Sequence, residues 1–215
     1  MSKTPAQRAR KHGERAAVAP SARPGARVPA PQATPRAPQA EGNPKLIIIA
    51  ALGATVFMFW YLHLLALAQM TQLSSGLAMP DSMVAGFAPS YLEQVRGAMN
   101  ADALGQLSYV HKTAGTIFPL VFGLAFALVF GAWVRGLAAR RAGFALVGAF
   151  VIVRIAGNIV IDTALGSQPF NSGLAALAAG LVIAGWALFA LVLLLWGANA
   201  LISWRRKQAA AGQAA

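Results

Sequence analysis

The chain has 215 residues, a formal net charge of +12, 57% hydrophobic residues and only 11% charged ones, whereas a soluble domain carries about 25% charged residues. Too little polar chain remains to cover its apolar runs as the buried helices of a large soluble protein. The complete lack of cysteine excludes disulfides, thiolate metal sites and cysteine nucleophiles.

Residues 1–43 include PSARPGARVPAPQATPRAPQA, rich in proline, alanine and arginine and nearly free of large apolar side chains. Such a segment buries too little surface to offset its ordering entropy, so it is expected to be a disordered, basic cytoplasmic tail. No cleavable apolar core sits near Met1, so the first hydrophobic run is expected to act as an uncleaved anchor. The basic residues suit anionic lipid, each contributing about 1 kcal/mol near a charged surface. No aromatics interleave them, so a base-stacking platform for nucleic acid is not expected.

Four runs are apolar for roughly the 20 residues a bilayer crossing requires. They lie at about 46–69, 110–134, 142–165 and 173–203, which predicts an all-α, four-helix transmembrane bundle over residues 44–207. A second disordered tail is expected at 208–215. Basic residues gather in the first 45 residues, at Arg135, Arg140 and Arg141, and at Arg205, Arg206 and Lys207. By the positive-inside rule all three clusters face the cytoplasm, which places both termini there in a bacterial inner membrane. Trp60, Tyr61, Trp133 and Trp204 are expected toward helix ends as interfacial aromatics.

Between the first two runs, about 71–108 forms the one sizeable extracytoplasmic segment. Within it SYLEQVRGAMN reads as a short amphipathic helix. Ser90 and Glu93 have capping-box spacing, Leu92, Val95 and Met99 share a face, and Asn100 or Gly105 would end it. The helix is expected to lie in the interface and cover the helix ends, or to serve as a lid. In the second run, Pro119 should kink the helix and free the carbonyl of Gly115, to be satisfied by a neighbour. In the fourth run, Ala176, Gly180 and Ala184 recur every four residues. Small residues allow close helix approach, either within the bundle or in a homo-oligomer.

The third run contains VIVRIAGNIVIDTAL, in which Arg154, Asn158 and Asp162 form one helical stripe. Counting from Ala142 puts Arg154 near the midplane and Asp162 near the outer boundary, about 12 Å apart along the axis. An arginine at helix centre costs roughly 2.5–3.5 kcal/mol on insertion scales, so the stripe should turn from lipid. Asn158 is placed to relay between the two charges. His63, Thr113 and Thr116 reach similar depth, with His111 and Lys112 just above. Together they predict an outer-half polar pocket, functional or simply fixing helix register. His63 and His111 differ in depth by roughly 8 Å, which counts against bis-histidine haem. No metal site and no catalytic set is evident; Asp102, Ser108 and His111 lack an oxyanion hole.

MPD at 79–81, Tyr109 with His111, IFPLVFG at 117–123 and Asn158 resemble a family of uncharacterised bacterial four-helix membrane proteins. The chain departs from that pattern at Ala114 or Gly115 and at Gly157, where a carboxylate is often found. The resemblance implies the four-span topology and no activity. Small size and small-residue seams point first to a non-catalytic accessory or structural subunit of a larger membrane complex. A small-solute or proton-coupled transporter using the polar cluster is the alternative, and a haem-binding or other membrane enzyme the third.

Overall fold

The computed structural model describes residues 43–212; the expected tail over 1–42 and the last three residues lie outside that range. Every element among the described residues is helical. Helix α1, Pro44–Phe59, begins on Asn43, whose side chain accepts the Lys45 N–H at 3.1 Å, with Pro44 in the first turn. Both features suit a helix start, because the first N–H groups need outside acceptors and proline has none to waste. α1 widens into a π-helical segment, Trp60–Ala66, and resumes as α2, Leu67–Leu73. A 3-10 turn, Pro80–Ser82, leads to α3, Pro89–Ala98, α4, Ala101–Lys112, and α5, Ala114–Trp133. α6, Leu137–Gly166, and α7, Ser172–Gly212, complete the chain.

Among the described residues four helical stretches are long and apolar enough to cross a membrane: Lys45–Leu73, Ala101–Trp133, Leu137–Gly166 and Ser172–Gly212. At 1.5 Å per residue the last spans about 60 Å, twice a typical hydrocarbon core, so it must project beyond it. α5 lies between α1 and α6, and α6 packs most extensively against α7. The end carrying Arg135 and the C-terminus of α7 is the basic end. The opposite end is roofed by α3 and its flanking loops, where Leu92 and Val95 are fully buried.

Lipid is as apolar as a leucine, so the helices must associate through close packing. Phe118, Phe122, Phe126 and Phe130 recur every four residues on α5 and are all buried. Phe122 meets Phe126 and Phe150 at 4.5 Å between ring centroids, and Phe189 at 5.1 Å. Trp196 closes edge-on against Phe126 at 6.0 Å. These rings fill the middle of the bundle and its basic half with apolar side chains.

Several expectations are corrected. α3 starts on Pro89 with Ala88 as its cap and no capping side chain, so the Ser90–Glu93 box does not form; proline already defines the first turn. Asn100 starts α4, its side chain accepting the Ala103 N–H at 2.8 Å, and Gly105 lies inside that helix. The second helical run therefore begins at residue 101 rather than about 110. Trp60 and Tyr61 fall in mid-helix, at the start of the π segment. The C-terminal tail expected from 208 is helical through Gly212, as Gln208 and three alanines favour. Ala176 and Gly180 point away from the bundle and Ala184 is only partly covered. The packed face of α7 is instead Ala175, Ala178, Ala179, Val182 and Gly185.

Candidate functional site

The site begins with a break in a helix. Thr113 (φ −103°, ψ −93°) separates α4 from α5, and its hydroxyl donates to the Tyr109 carbonyl at 2.7 Å. Thr116 donates to the His111 carbonyl at 3.0 Å. Three residues on, Pro119 has no N–H for Gly115, and the Gly115 carbonyl is taken by Asn158 Nδ2 at 2.9 Å. A Cβ on residue 115 would lie 2.7 Å from that nitrogen, so glycine is needed for the approach. At the His111 and Gly115 carbonyls a hydroxyl and an amide thus replace the helix's own donors, while the Tyr109 carbonyl also keeps the Thr113 N–H at 3.0 Å.

His111 is 2% exposed and sits between two carboxylates. Its Nδ1 is 2.5 Å from Asp162 Oδ1 on α6, and its Nε2 is 2.9 Å from Asp81 Oδ2 in the 3-10 turn. Two ring nitrogens facing two carboxylates need two protons among the three groups, one in each contact. Asp162 also accepts the Ser108 hydroxyl at 3.0 Å. Asp81 Oδ1 lies 3.9 Å from an Arg154 guanidinium nitrogen, an ion-pair separation. The Asp81 backbone carbonyl accepts the Trp186 indole N–H at 3.0 Å, fixing the turn to α7. The Arg154 guanidinium stands 5.9 Å from the centre of that indole, within cation–π reach. Burial alone would raise the Asp81 carboxyl, but the hydrogen-bonded His111 ring and the Arg154 charge outweigh it and hold it well below the usual carboxylate range.

The polar stripe of α6 is therefore linked differently from the sequence expectation. Arg154 and Asp162 are joined through Asp81 and His111, while Asn158 is spent on Gly115 instead of relaying between them. Asp81, which the sequence reading left out of the pocket, is its centre; its only sequence signal was the MPD tripeptide. His111 is buried within the cluster rather than above it, and Lys112 is exposed at its rim. His63 stands apart, within the π segment. Its ring packs against Phe59, Trp186 and Phe118 at centroid distances of 4.8, 5.2 and 5.7 Å. Its Nδ1 is buried with no hydrogen-bond partner. His63 and Arg154 share a cavity of about 10 Å³ with Trp186, Gly185 and four phenylalanine rings.

Both nitrogens of His111 are engaged, so it offers none for an axial bond to haem iron. Among the described residues no group of three or more His, Cys, Asp or Glu side chains could hold a metal ion. A groove of about 550 Å³ opens between α4–α5 and α6, with Ser108, His111, Thr116, Asn158 and Asp162 on its floor and Ile155 and Ile159 on its wall. That volume falls within the roughly 300–1,000 Å³ of small-molecule sites.

Fold and cluster together define a multi-pass helical membrane protein with a charged, hydrogen-bonded centre in its roofed half. No family model, no curated protein and no solved structure matches the chain.

Proposed function

We propose that this multi-pass protein sits in a bacterial inner membrane with both ends in the cytoplasm, and that it is a small proton-coupled carrier whose ligand occupies the groove over Asp162 and His111. The observation that carries the reading is the double role of Asp162. It lines the groove and also holds His111, which is bonded in turn to buried Asp81. A ligand that donates to Asp162 competes with His111 and Ser108 for the same carboxylate, so ligand binding and proton position are linked. Ionisable groups at this depth are functional candidates by default. The phenylalanine-filled basic half supports access through the opposite half and not from the basic end in this conformation, and a carrier would have to repack it to release ligand inward.

Orientation follows from the positive-inside rule applied to Arg135, Arg140, Arg141, Arg205, Arg206 and Lys207, with anionic lipid as the partner of the basic N-terminal residues. Since the chain has no cysteine, single cysteines report cleanly. Ser108→Cys should react with an impermeant maleimide added outside intact cells, and Arg135→Cys only after the inner face is opened. The opposite pattern ends the orientation. For the carrier, Asp162→Asn should abolish proton-linked flux of candidate solutes in reconstituted vesicles at unchanged protein abundance. Undiminished flux for a transported solute would remove Asp162 from the mechanism.

A second reading, an accessory or structural subunit, is favoured by the outward face of Ala176 and Gly180. Small residues turned to lipid suit a partner helix. Gly180→Cys should then cross-link to a second copy or to a neighbouring protein in native membranes, and a clean monomer counts against this reading.

A further inference from the structure

The groove opens sideways, bounded by only two helical walls, and its exposed rim continues along both helices toward the basic end. On α6 the stripe runs Asp162, Ile159, Ile155, Ile152, at three- and four-residue steps that keep one helix face; Ile159 is 60% and Ile152 69% exposed. On α5 the step from Thr116 reaches Leu120, which is 50% exposed. Further along α6, Gly148 leaves open space where a side chain would stand. The surface is therefore a polar floor followed, on both helices, by exposed apolar side chains; in the proposed placement the floor lies at the outer boundary and the apolar side chains face the acyl region. A polar floor at the edge of the hydrocarbon, open to water at Ser108, is unfavourable along its inner part unless something hydrogen-bonds to it.

The floor also specifies the chemistry of its occupant. Each hydroxyl has already spent its hydrogen: Ser108 on Asp162, Thr116 on the His111 carbonyl, Thr163 on the Ile159 carbonyl at 2.7 Å. Asn158 Nδ2 has given one hydrogen to Gly115. What remains is mostly acceptors: hydroxyl lone pairs, the Asn158 amide oxygen and the Asp162 carboxylate, against the second N–H of the buried Asn158. A carboxylate or phosphate head finds only that N–H and Lys112 at the rim, and meets the Asp162 charge between them. A cationic head meets Asp162 already held by His111, with Lys112 close by.

We infer that the groove takes a neutral amphiphile from the outer leaflet, its hydroxylated head donating to Asp162 and its single apolar chain lying along Leu120 and Ile152. The inference rests on the groove being a binding site and names what binds there.

The probe is monooleoylglycerol, titrated into the purified protein in detergent and counted by native mass spectrometry, with oleate and glycerol as comparison ligands. Monooleoylglycerol should bind at least ten times more tightly than oleate, and glycerol should not compete. Asp162→Ala should weaken it at least tenfold. So should Ile159→Trp, which fills the groove from an exposed wall position and leaves the buried cluster intact. Equal affinity for wild type and both variants overturns the inference, as does oleate binding as well as the glyceride. Glycerol competing on equal terms, with the Asp162 dependence kept, overturns the amphiphile while leaving a water-soluble ligand in the groove. Failure of the maleimide to reach Ser108→Cys instead removes the accessible groove on which both readings depend.

Discussion

Asn158 donates its side-chain amide to the backbone carbonyl of Gly115 at 2.9 Å, and Pro119, four residues beyond that carbonyl, is what leaves it free. A helix position that loses its own donor has been given one from the neighbouring helix. Both ends are buried, Asn158 being 4% exposed. This bond ties α5 to α6 beside the charged cluster.

Asn158→Leu should therefore destabilise the protein by about 1–3 kcal/mol, the cost of stranding a buried acceptor. Pro119→Ala restores a backbone N–H at the position that Gly115 normally uses. The double variant should lose less stability than the single Asn158→Leu, a coupling that a thermal double-mutant cycle in detergent reads directly. Strict additivity would show that the amide and the proline do not act on the same carbonyl.

Asp81 supports a pH prediction with a definite sign. Its folded-state value is depressed below the ordinary 3.8, so its contribution is fully present above that value and is lost as pH falls through and below it. The melting temperature should fall on acidification below about pH 4. Asp81→Asn should start lower at neutral pH and show a shallower acid limb. Asp81→Ala, which leaves His111 and Arg154 buried without their carboxylate, should cost about 3–5 kcal/mol. An acid limb unchanged in Asp81→Asn would assign the titration to other carboxylates.

The four spans and the stripe of α6 were legible because each depends on local periodicity: long apolar runs, and charges four residues apart. The freed Gly115 carbonyl was legible for the same reason, since a proline's missing donor acts at a fixed sequence distance. Asp81 was not. It lies 30 residues from His111 and 73 from Arg154, in a loop whose path over the helix ends no periodicity encodes. The π segment around His63 was hidden as well, because its composition is that of an ordinary apolar helix. Ala176, Gly180 and Ala184 misled only as a face packed within the bundle: spacing identified a stripe but could not say which way it turned.

His63 offers a test in the opposite direction. Its Nδ1 is buried without a partner among aromatic rings, so replacing imidazole by an apolar ring removes an unsatisfied group instead of a bond. His63→Phe should leave thermal stability unchanged or raise it. If His63 serves the Arg154–Asp81 cluster, proton-linked flux should fall in that same variant. A clear loss of stability would show that His63 has a partner in the membrane.

Two glycines on α7 separate the inward face from the outward one. A Cβ at Gly185 would stand 2.7 Å from Arg154 Cδ, so Gly185→Ala must push the arginine stem from its path past Trp186 toward Asp81. Overpacking of this kind costs typically about 1–3 kcal/mol. Here it also lengthens an ion pair already at 3.9 Å. A Cβ at Gly180, on the same helix, meets nothing within 4 Å, so Gly180→Ala should stay within about 0.5 kcal/mol of wild type in detergent. Thermal unfolding of the two variants side by side checks the pair. Equal, small effects would mean that Arg154 relaxes freely. A large effect at Gly180 in native membranes but not in detergent would point to a helix packed on that outer face.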